Sequence, residues 1–373
     1  MDTGCVAAPG AFNALVARAV AAAGFDACYV SGGATSVAAG VPDVGLLTLD
    51  HFARVVREVC DSARTGAKRL PVIADADTGF GEAEMVRRTV VEYHRAGAAG
   101  LHIEDQVFPK RCGHLDGKAL VPIDHMCEKI RWAVAAAREC DGRKRRRDGG
   151  TERRSEGEAG RRDEETKRRR DEGGTGFIVC ARTDARGVEG MDAAVERAKA
   201  YVDAGADMIF PEGLASEDEF AAFATAMRSP PSPLGGEGRG EGSLPPSPLG
   251  GEGRGEGSLP PSPLGGEGRG EGSLPPSPRG GNGRGSSRPY LLANMTEFGK
   301  TPIIPLSRFE QMGYNLVIFP VTTLRVAMGA VTRALQALHR DGSVESFLDQ
   351  MQTREDLYRL IAYEPGTAWE LPA

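Results

Sequence analysis

The stretch Gly100-Leu101-His102-Ile103-Glu104-Asp105 reads as a short apolar strand that ends in two carboxylates. Pro122 to Glu139 then has the pattern of a helix, so the unit is strand, acidic end, loop and helix. The same unit recurs outward in both directions. Upstream, Pro71-Val72-Ile73-Ala74-Asp75 precedes a helix over Glu82 to Ala96, and Ala27-Cys28-Tyr29-Val30-Ser31 precedes one over Leu49 to Ala63. Earlier still, Cys5-Val6-Ala7-Ala8 leads to Asn13 to Ala23, where Leu15, Val16, Ala19, Val20 and Ala23 share one face. Downstream, Phe177 to Ala181, Asp207 to Phe210, Tyr290 to Ala293 and Asn315 to Phe319 read as strands. Helical patterns follow them over Met191 to Ala204, Glu217 to Met227, Ser307 to Met312 and Leu324 to Arg340.

Strictly alternating strands and helices imply a parallel α/β fold, and eight strands is the closed-barrel number. The expected architecture is a (β/α)8 TIM barrel with a C-terminal helical extension. An open doubly wound sheet is the competitor, but no Gly-x-Gly-x-x-Gly opens the first helix, which counts against a dinucleotide-binding version. Two low-complexity insertions interrupt the pattern. Asp141 to Thr175 is mostly Arg, Lys, Glu, Asp and Gly and is expected to be disordered. Its interleaved acids favour a solvated linker over an RNA-binding arm. Ser229 to Arg288 holds a 15-residue repeat starting at Pro230, Pro245 and Pro260, too poor in apolar residues to stack as a solenoid. Without both segments about 280 residues remain, close to the ~250 of one barrel domain.

The composition, 40% hydrophobic and 26% charged, is an ordinary soluble globular balance. A net charge of −6 gives no overall footprint for nucleic acid. No apolar run nears the roughly 20 residues of a membrane span. Met1 to Phe12 lacks the basic and apolar regions of a signal peptide. Seven cysteines, without a Cys-x-x-Cys, read as reduced thiols of a cytoplasmic protein.

In a barrel, chemistry collects at the C-terminal ends of the strands. Those ends carry Ser31-Gly32-Gly33, Asp75-x-Asp77, Glu104-Asp105, Arg182-x-Asp184, Glu212 and Asn294-x-Thr296. Asp75 and Asp77 point to one side if the chain stays extended. With Glu104 they offer hard oxygen ligands, which suit Mg2+; the alternative for the aspartates is capping in a loop. Asp43 is a candidate for a further acid of the metal shell. Ser31-Gly32-Gly33 can aim backbone N–H groups at an anion or be a plain turn. Arg182 can clamp a carboxylate with two parallel hydrogen bonds, and Asn294 and Thr296 offer neutral donors to a second one. Lys110-Arg111-Cys112-Gly113-His114 places a thiol among cations, which should lower its pKa; the alternative is a basic turn with a bystander cysteine. His102, inside an apolar strand, reads as a satisfied core histidine. His51, His94, His125 and His339 receive no role.

Tyr29-Val-Ser-Gly-Gly33, Asp75-Ala-Asp-Thr-Gly-Phe-Gly81, Gly100-Leu-His-Ile-Glu-Asp-Gln106 and Lys110-Arg-Cys-Gly-His114 together resemble the isocitrate lyase and phosphoenolpyruvate mutase superfamily. Ala181-Arg-Thr-Asp-Ala185, Phe210-Pro-Glu212, Asn294-Met-Thr-Glu-Phe-Gly299 and Met351-Gln-Thr-Arg354 extend the likeness, and its methylisocitrate lyase branch is the nearest in pattern. The resemblance implies Mg2+-dependent cleavage of 2-methylisocitrate to pyruvate and succinate, with Mn2+ as a substitute ion. It implies that Asp75, Asp77, Glu104 and Asp43 serve the metal. Ser31, Gly32, Gly33 and Arg182 would then bind the hydroxy-acid half, and Glu212, Asn294, Thr296 and Arg325 the succinate half. Cys112 would be the general acid and Tyr29 the base, with His114 and Gly113 closing over the product. The resemblance also implies a homotetramer acting on a small di- or tricarboxylate. Other expectations are a dimethylmalate lyase or oxaloacetate decarboxylase, or a non-catalytic barrel that binds RNA or a partner through the charged insertion.

Overall fold

The structure, a computed structural model, describes residues 4–66, 68–113, 117–148, 176–228 and 288–368. All of them fall in one compact unit made of Met1–Arg228 and Ser286–Ala373. His114 and nearly all of the two insertions lie outside the described residues.

Eight strands form one parallel sheet: β1 (Val6–Pro9), β2 (Cys28–Val30), β3 (Val72–Asp75), β4 (Gly100–Glu104), β5 (Ile178–Thr183), β6 (Met208–Pro211), β7 (Tyr290–Asn294) and β8 (Leu316–Phe319). Each pairs with its sequence neighbour from β2 to β8, and β8 pairs with β1. A bridge between Gly10 and Tyr29 closes the remaining gap between β1 and β2. The result is the (β/α)8 barrel that the alternation predicts. A two-residue hairpin, Arg64–Thr65 with Lys68–Arg69, stands apart from the barrel.

The helices are α1 (Ala14–Ala22), α2 (Gly32–Ala38), α3 (Leu49–Ser62), α4 (Ala83–Arg95), α5 (Ile123–Asp148), α6 (Met191–Asp203), α7 (Glu217–Arg228), α8 (Leu306–Met312), α9 (Thr322–Asp341) and α10 (Arg354–Leu360). Side-chain caps start several of them: Asn13 accepts the Val16 N–H at 2.9 Å, and Thr353 forms a capping box with Asp356. The strands' outward side chains and the helices form the larger apolar core, with Phe52, Tyr93, Ile103, Ile130, Tyr201 and Phe309 in it. Inward side chains form a second, smaller core inside the barrel, including Ala8, Tyr29, Ile73, Cys180, Met208, Phe210, Leu292 and Ile318. This division follows from the two-residue period of a strand.

Two elements depart from expectation. Ser31-Gly32-Gly33 is not a turn but the start of α2: the Ser31 Oγ accepts the Ala34 N–H at 3.2 Å, as an N-cap does. The helix before the first insertion does not stop at Glu139 but runs to Asp148. Asp141, expected to lie in the insertion, belongs to the barrel joint, where its Oδ2 accepts the Phe177 N–H at 3.2 Å.

The repeat insertion begins after α7 and ends just before β7. At that joint Arg228 Nη1 donates to the Met312 carbonyl at 2.8 Å, and Tyr290 N donates to the Asp207 carbonyl at 3.1 Å. Both joint ends are thus anchored by the barrel itself. Deleting residues 229–288 and rejoining the chain with a short Gly/Ser linker should leave the melting temperature within a few degrees and the activity unchanged, since loop length alone costs only ~0.6 kcal/mol per doubling. Insoluble protein or a collapsed melt would show that the segment packs on the barrel.

Candidate active site

The C-terminal mouth of the barrel collects charge because β3, β4, β5 and β6 are in register there. Asp75 sits opposite His102, Glu104 opposite Arg182, and Arg182 opposite Phe210. All of these side chains are buried. Buried ions must pair, and the pairs define three layers of the site.

The lowest layer is Tyr29, His102 and Asp75. The Tyr29 hydroxyl lies 2.7 Å from His102 Nε2, with the two rings stacked at 5.9 Å. His102 Nδ1 approaches Asp75 Oδ1 at 3.7 Å and has no hydrogen-bond partner. Burial lowers the imidazole pKa and raises that of the Tyr29 phenol well above the ordinary range. The phenol therefore keeps its proton, and it can accept another only by passing its own to His102. His102 is thus as buried as its apolar strand predicts but only half satisfied, with Nδ1 turned toward Asp75.

The second layer is acidic. Asp75 Oδ2 accepts the Gly32 N–H at 3.0 Å and its Oδ1 accepts the Asp77 N–H at 2.9 Å. A Cβ on Gly32 would stand 2.6 Å from Asp75 Oδ2, so only glycine allows α2 to approach so closely. Burial alone would raise the Asp75 pKa, but His102, Lys110, Arg182 and the Asp77 N–H bring it below the usual carboxylate range. Asp77 does not continue the strand: its φ of 46° is left-handed, a conformation aspartate tolerates. It reaches the site by that turn, not by the extended alternation expected. Burial pushes its carboxyl up to about 6 against the pull of Lys110.

Lys110 is the residue that the sequence reading underused. Its buried ammonium contacts Asp43 Oδ1 at 2.5 Å and Asp77 Oδ1 at 2.7 Å. Burial works against its charge, but Glu104, Asp77, Asp75 and Asp43 hold its pKa above normal. The motif's cations were read as serving the thiol, yet this one serves the carboxylates.

The third layer is Arg182 with its acids. Nε and Nη2 each donate to Asp184 at 3.0 Å, Nη1 lies 3.2 Å from Glu104 and Nη2 lies 3.6 Å from Glu212. The guanidinium also covers the Phe210 ring at 5.2 Å. Glu212 Oε2 accepts from Asn294 Nδ2 at 3.2 Å, and Asn294 Oδ1 accepts the Thr296 hydroxyl at 2.6 Å. Arg325 is not brought to this chain of bonds. It is partly exposed, donates to the Glu297 carbonyl at 2.7 Å and lies over the Phe298 ring.

The cysteine loop crosses the top. Its start is fixed by the Gln106 amide, which accepts the Arg111 N–H and donates to the Arg111 carbonyl, both at 2.9 Å. Gly113 rests directly on the third layer: a Cβ there would lie 2.6 Å from Arg182 Nη2 and 2.7 Å from Glu212 Cδ. Cys112, next to it, is half-buried.

Among the described residues, no three His, Cys, Asp or Glu side chains converge as a direct metal cage. The donor set still fits Mg2+. Glu104 Oε1 is buried without a hydrogen-bond partner, while Glu104 Oε2 and Asp77 Oδ1 meet only charged side chains, Arg182 at 3.2 Å and Lys110 at 2.7 Å, and burial raises the Glu104 pKa well above normal. A hard cation that keeps several waters can satisfy such oxygens through its water shell.

Fold and site define a barrel enzyme whose mouth gathers buried carboxylates with a lysine and an arginine between them. The chain belongs to the phosphoenolpyruvate phosphomutase family, whose model matches residues 2–143 and 141–235. It is 40% identical to the probable 2-methylisocitrate lyase 1 of Corynebacterium glutamicum, over 95% of this chain and 84% of that protein. It is 37% identical to the 2-methylisocitrate lyase of Aeropyrum pernix, over 96% of this chain and 83% of that one. Among solved structures it resembles 2,3-dimethylmalate lyase, a PEP mutase/isocitrate lyase superfamily member, with TM-score 0.64 and 30% identity over 96% of this chain and 86% of the other. No helix among the described residues is long and apolar enough to cross a membrane.

Proposed function

We propose that this chain is a Mg2+-dependent carbon–carbon lyase that splits 2-methylisocitrate into pyruvate and succinate. The observation that carries the proposal is the contact of Gly113 with Arg182 and Glu212. It sets the Cys112 loop over the same mouth that holds Asp75, Asp77 and Glu104. Relatives named 2-methylisocitrate lyase support the choice of substrate.

Asp75, Asp77 and Glu104 would hold the cation through its waters, with Asp43 beside them. When bound, the ion supplies Lewis-acid polarisation of the hydroxy-acid oxygens; Mn2+ has the same oxygen preference and would substitute. Ser31, the Gly32 and Gly33 backbone and Arg182 orient the hydroxy-acid half. Asn294 and Thr296 present donors to the succinate half. Glu212 acts by holding Asn294 and Arg182 in place, since a carboxylate repels another carboxylate. Tyr29 accepts the substrate hydroxyl proton as its own passes to His102. The carbon–carbon bond breaks, its electron pair goes to the succinate carbon, and Cys112 protonates that carbon. His114, outside the described residues, and Arg325 are proposed to complete the succinate side.

The enzyme is proposed to be cytoplasmic and a homotetramer. The exposed apolar side chains of α9, Val326, Met328, Val331, Leu335 and Leu338, support assembly through that helix.

The direct test is incubation with 2-methylisocitrate and Mg2+, with a chelator control. Pyruvate and succinate should appear in equal amounts and only with the metal. Turnover of 2,3-dimethylmalate or oxaloacetate, with 2-methylisocitrate left intact, would assign the chain to another acid lyase.

A further inference from the structure

Lys118 lies six residues after Cys112 and has no role in the chemistry above. Its neighbours Gly117 and Ala119 are exposed, yet its own side chain is buried, at 6% exposure. A lysine that turns inward from a surface loop must be paid with partners. Its Nζ donates to the Gly113 carbonyl at 2.6 Å and to Asp184 Oδ1 at 2.7 Å. The same Asp184 holds Arg182 through two hydrogen bonds of 3.0 Å.

Asp184 is itself fixed from below. Its backbone N–H donates to Asp105 Oδ1 at 2.9 Å. Asp105 Oδ2 accepts from the Thr183 hydroxyl and the Tyr201 hydroxyl, each at 2.8 Å. The whole acid pair is fully buried. Asp184 is thus a rigid post, and two cations lean on it: Arg182 from the barrel wall and Lys118 from the cysteine loop.

We propose that Lys118 is a positioning residue that fixes the Cys112 loop to Asp184, and so sets the thiol relative to Arg182. This rests on the reading of Cys112 and Arg182 as proton donor and carboxylate anchor. With Gln106 bonded to Arg111 at the other end, Lys118 makes the second anchor of the segment that carries the thiol. Arg182 keeps its own bonds to Asp184 when Lys118 is changed, so substrate anchoring and thiol placement can be separated.

The test uses Lys118→Met and Lys118→Arg in the full chain, with two readouts. The first needs no substrate: the rate at which iodoacetamide labels Cys112, followed by peptide mass spectrometry, with buried Cys28 and Cys180 as internal references. The second is kcat against KM for 2-methylisocitrate cleavage. Lys118→Met should speed Cys112 labelling about tenfold by freeing the loop locally, with the reference cysteines still protected. Its kcat should fall by up to about 10²-fold, as misplacement by ~1 Å can cost, while KM stays near the parent value. Lys118→Arg, which can donate to both oxygens, should restore labelling and kcat toward the parent.

Parent-like labelling and kcat in Lys118→Met would overturn the proposal. Insoluble Lys118→Met, or labelling that rises at Cys28 and Cys180 as well, would show a strut of the fold and also overturn it. If the parent does not cleave 2-methylisocitrate, the substrate reading fails, and the labelling arm still decides the role of Lys118.

Discussion

Asp75→Asn should lose about 10³-fold in the rate of pyruvate release, because Lewis-acid stabilisation is worth several kcal/mol and ~4 kcal/mol is three decades. The amide keeps the size of the carboxylate and one acceptor oxygen, so the bond from the Gly32 N–H can survive. It removes the charge that faces His102, Lys110 and Arg182 and the second oxygen that receives the Asp77 N–H. The local cost is one weakened buried hydrogen bond, about 1–3 kcal/mol. The apolar cores do not include Asp75, so the barrel should stay folded, with a lower melting temperature. Mn2+ titration followed by electron paramagnetic resonance should show weakened ion binding in the absence of any substrate. Mg2+-dependent turnover at the parent rate would remove Asp75 from the cation site.

The fold was legible because each strand writes its two-sided environment into a two-residue period. Ile73 and Asp75 face inward while Val72 and Ala74 face the helices, and the same holds for His102 and Glu104 against Leu101 and Ile103. A strand end that turns from apolar to charged is therefore a direct reading of the barrel mouth. Asp75, Glu104, Arg182, Glu212 and Asn294 were found this way, and hydrogen bonds or ion pairs link Glu104, Arg182, Glu212 and Asn294 directly.

What periodicity could not carry was partnership across the chain. Lys110 bonds to Asp43, 67 residues away, and Lys118 bonds to Asp184, 66 residues away. Neither pairing leaves a local pattern. The available signal was weaker: two lysines flanking the Cys112 loop, in a chain whose strand ends are rich in acids. His102 was read only in part for a related reason. An apolar strand with one histidine looks like core, and only the register with Asp75 and the contact with Tyr29 show which polar groups it meets there. Arg325 is the reverse case. A basic residue at the start of the last barrel helix fits a carboxylate binder by type, yet its geometry ties it to Glu297 and Phe298.

Cys112→Ser separates chemistry from binding and should lower kcat by ~10²–10⁴, the usual contribution of a positioned general acid. Serine keeps nearly the same size and a hydrogen-bonding group, so the loop should not move. Its anchors lie elsewhere: Gln106 holds Arg111, and Lys118 holds the Gly113 carbonyl. A hydroxyl, however, is a far weaker acid than a thiol and donates poorly to a carbanion. Arg182, Asn294 and the Gly32 backbone reach the mouth without passing through the thiol, so KM should change little. The half-buried position of Cys112 suits the role, because an acid that protonates a carbanion must meet substrate while being shielded from water. A loss in kcat/KM that comes wholly from KM would mean lost ground-state binding, and the thiol would then be a contact, with the proton coming from elsewhere. Turnover of 2-methylisocitrate by Cys112→Ser at the parent rate would end the assignment of Cys112 as the acid.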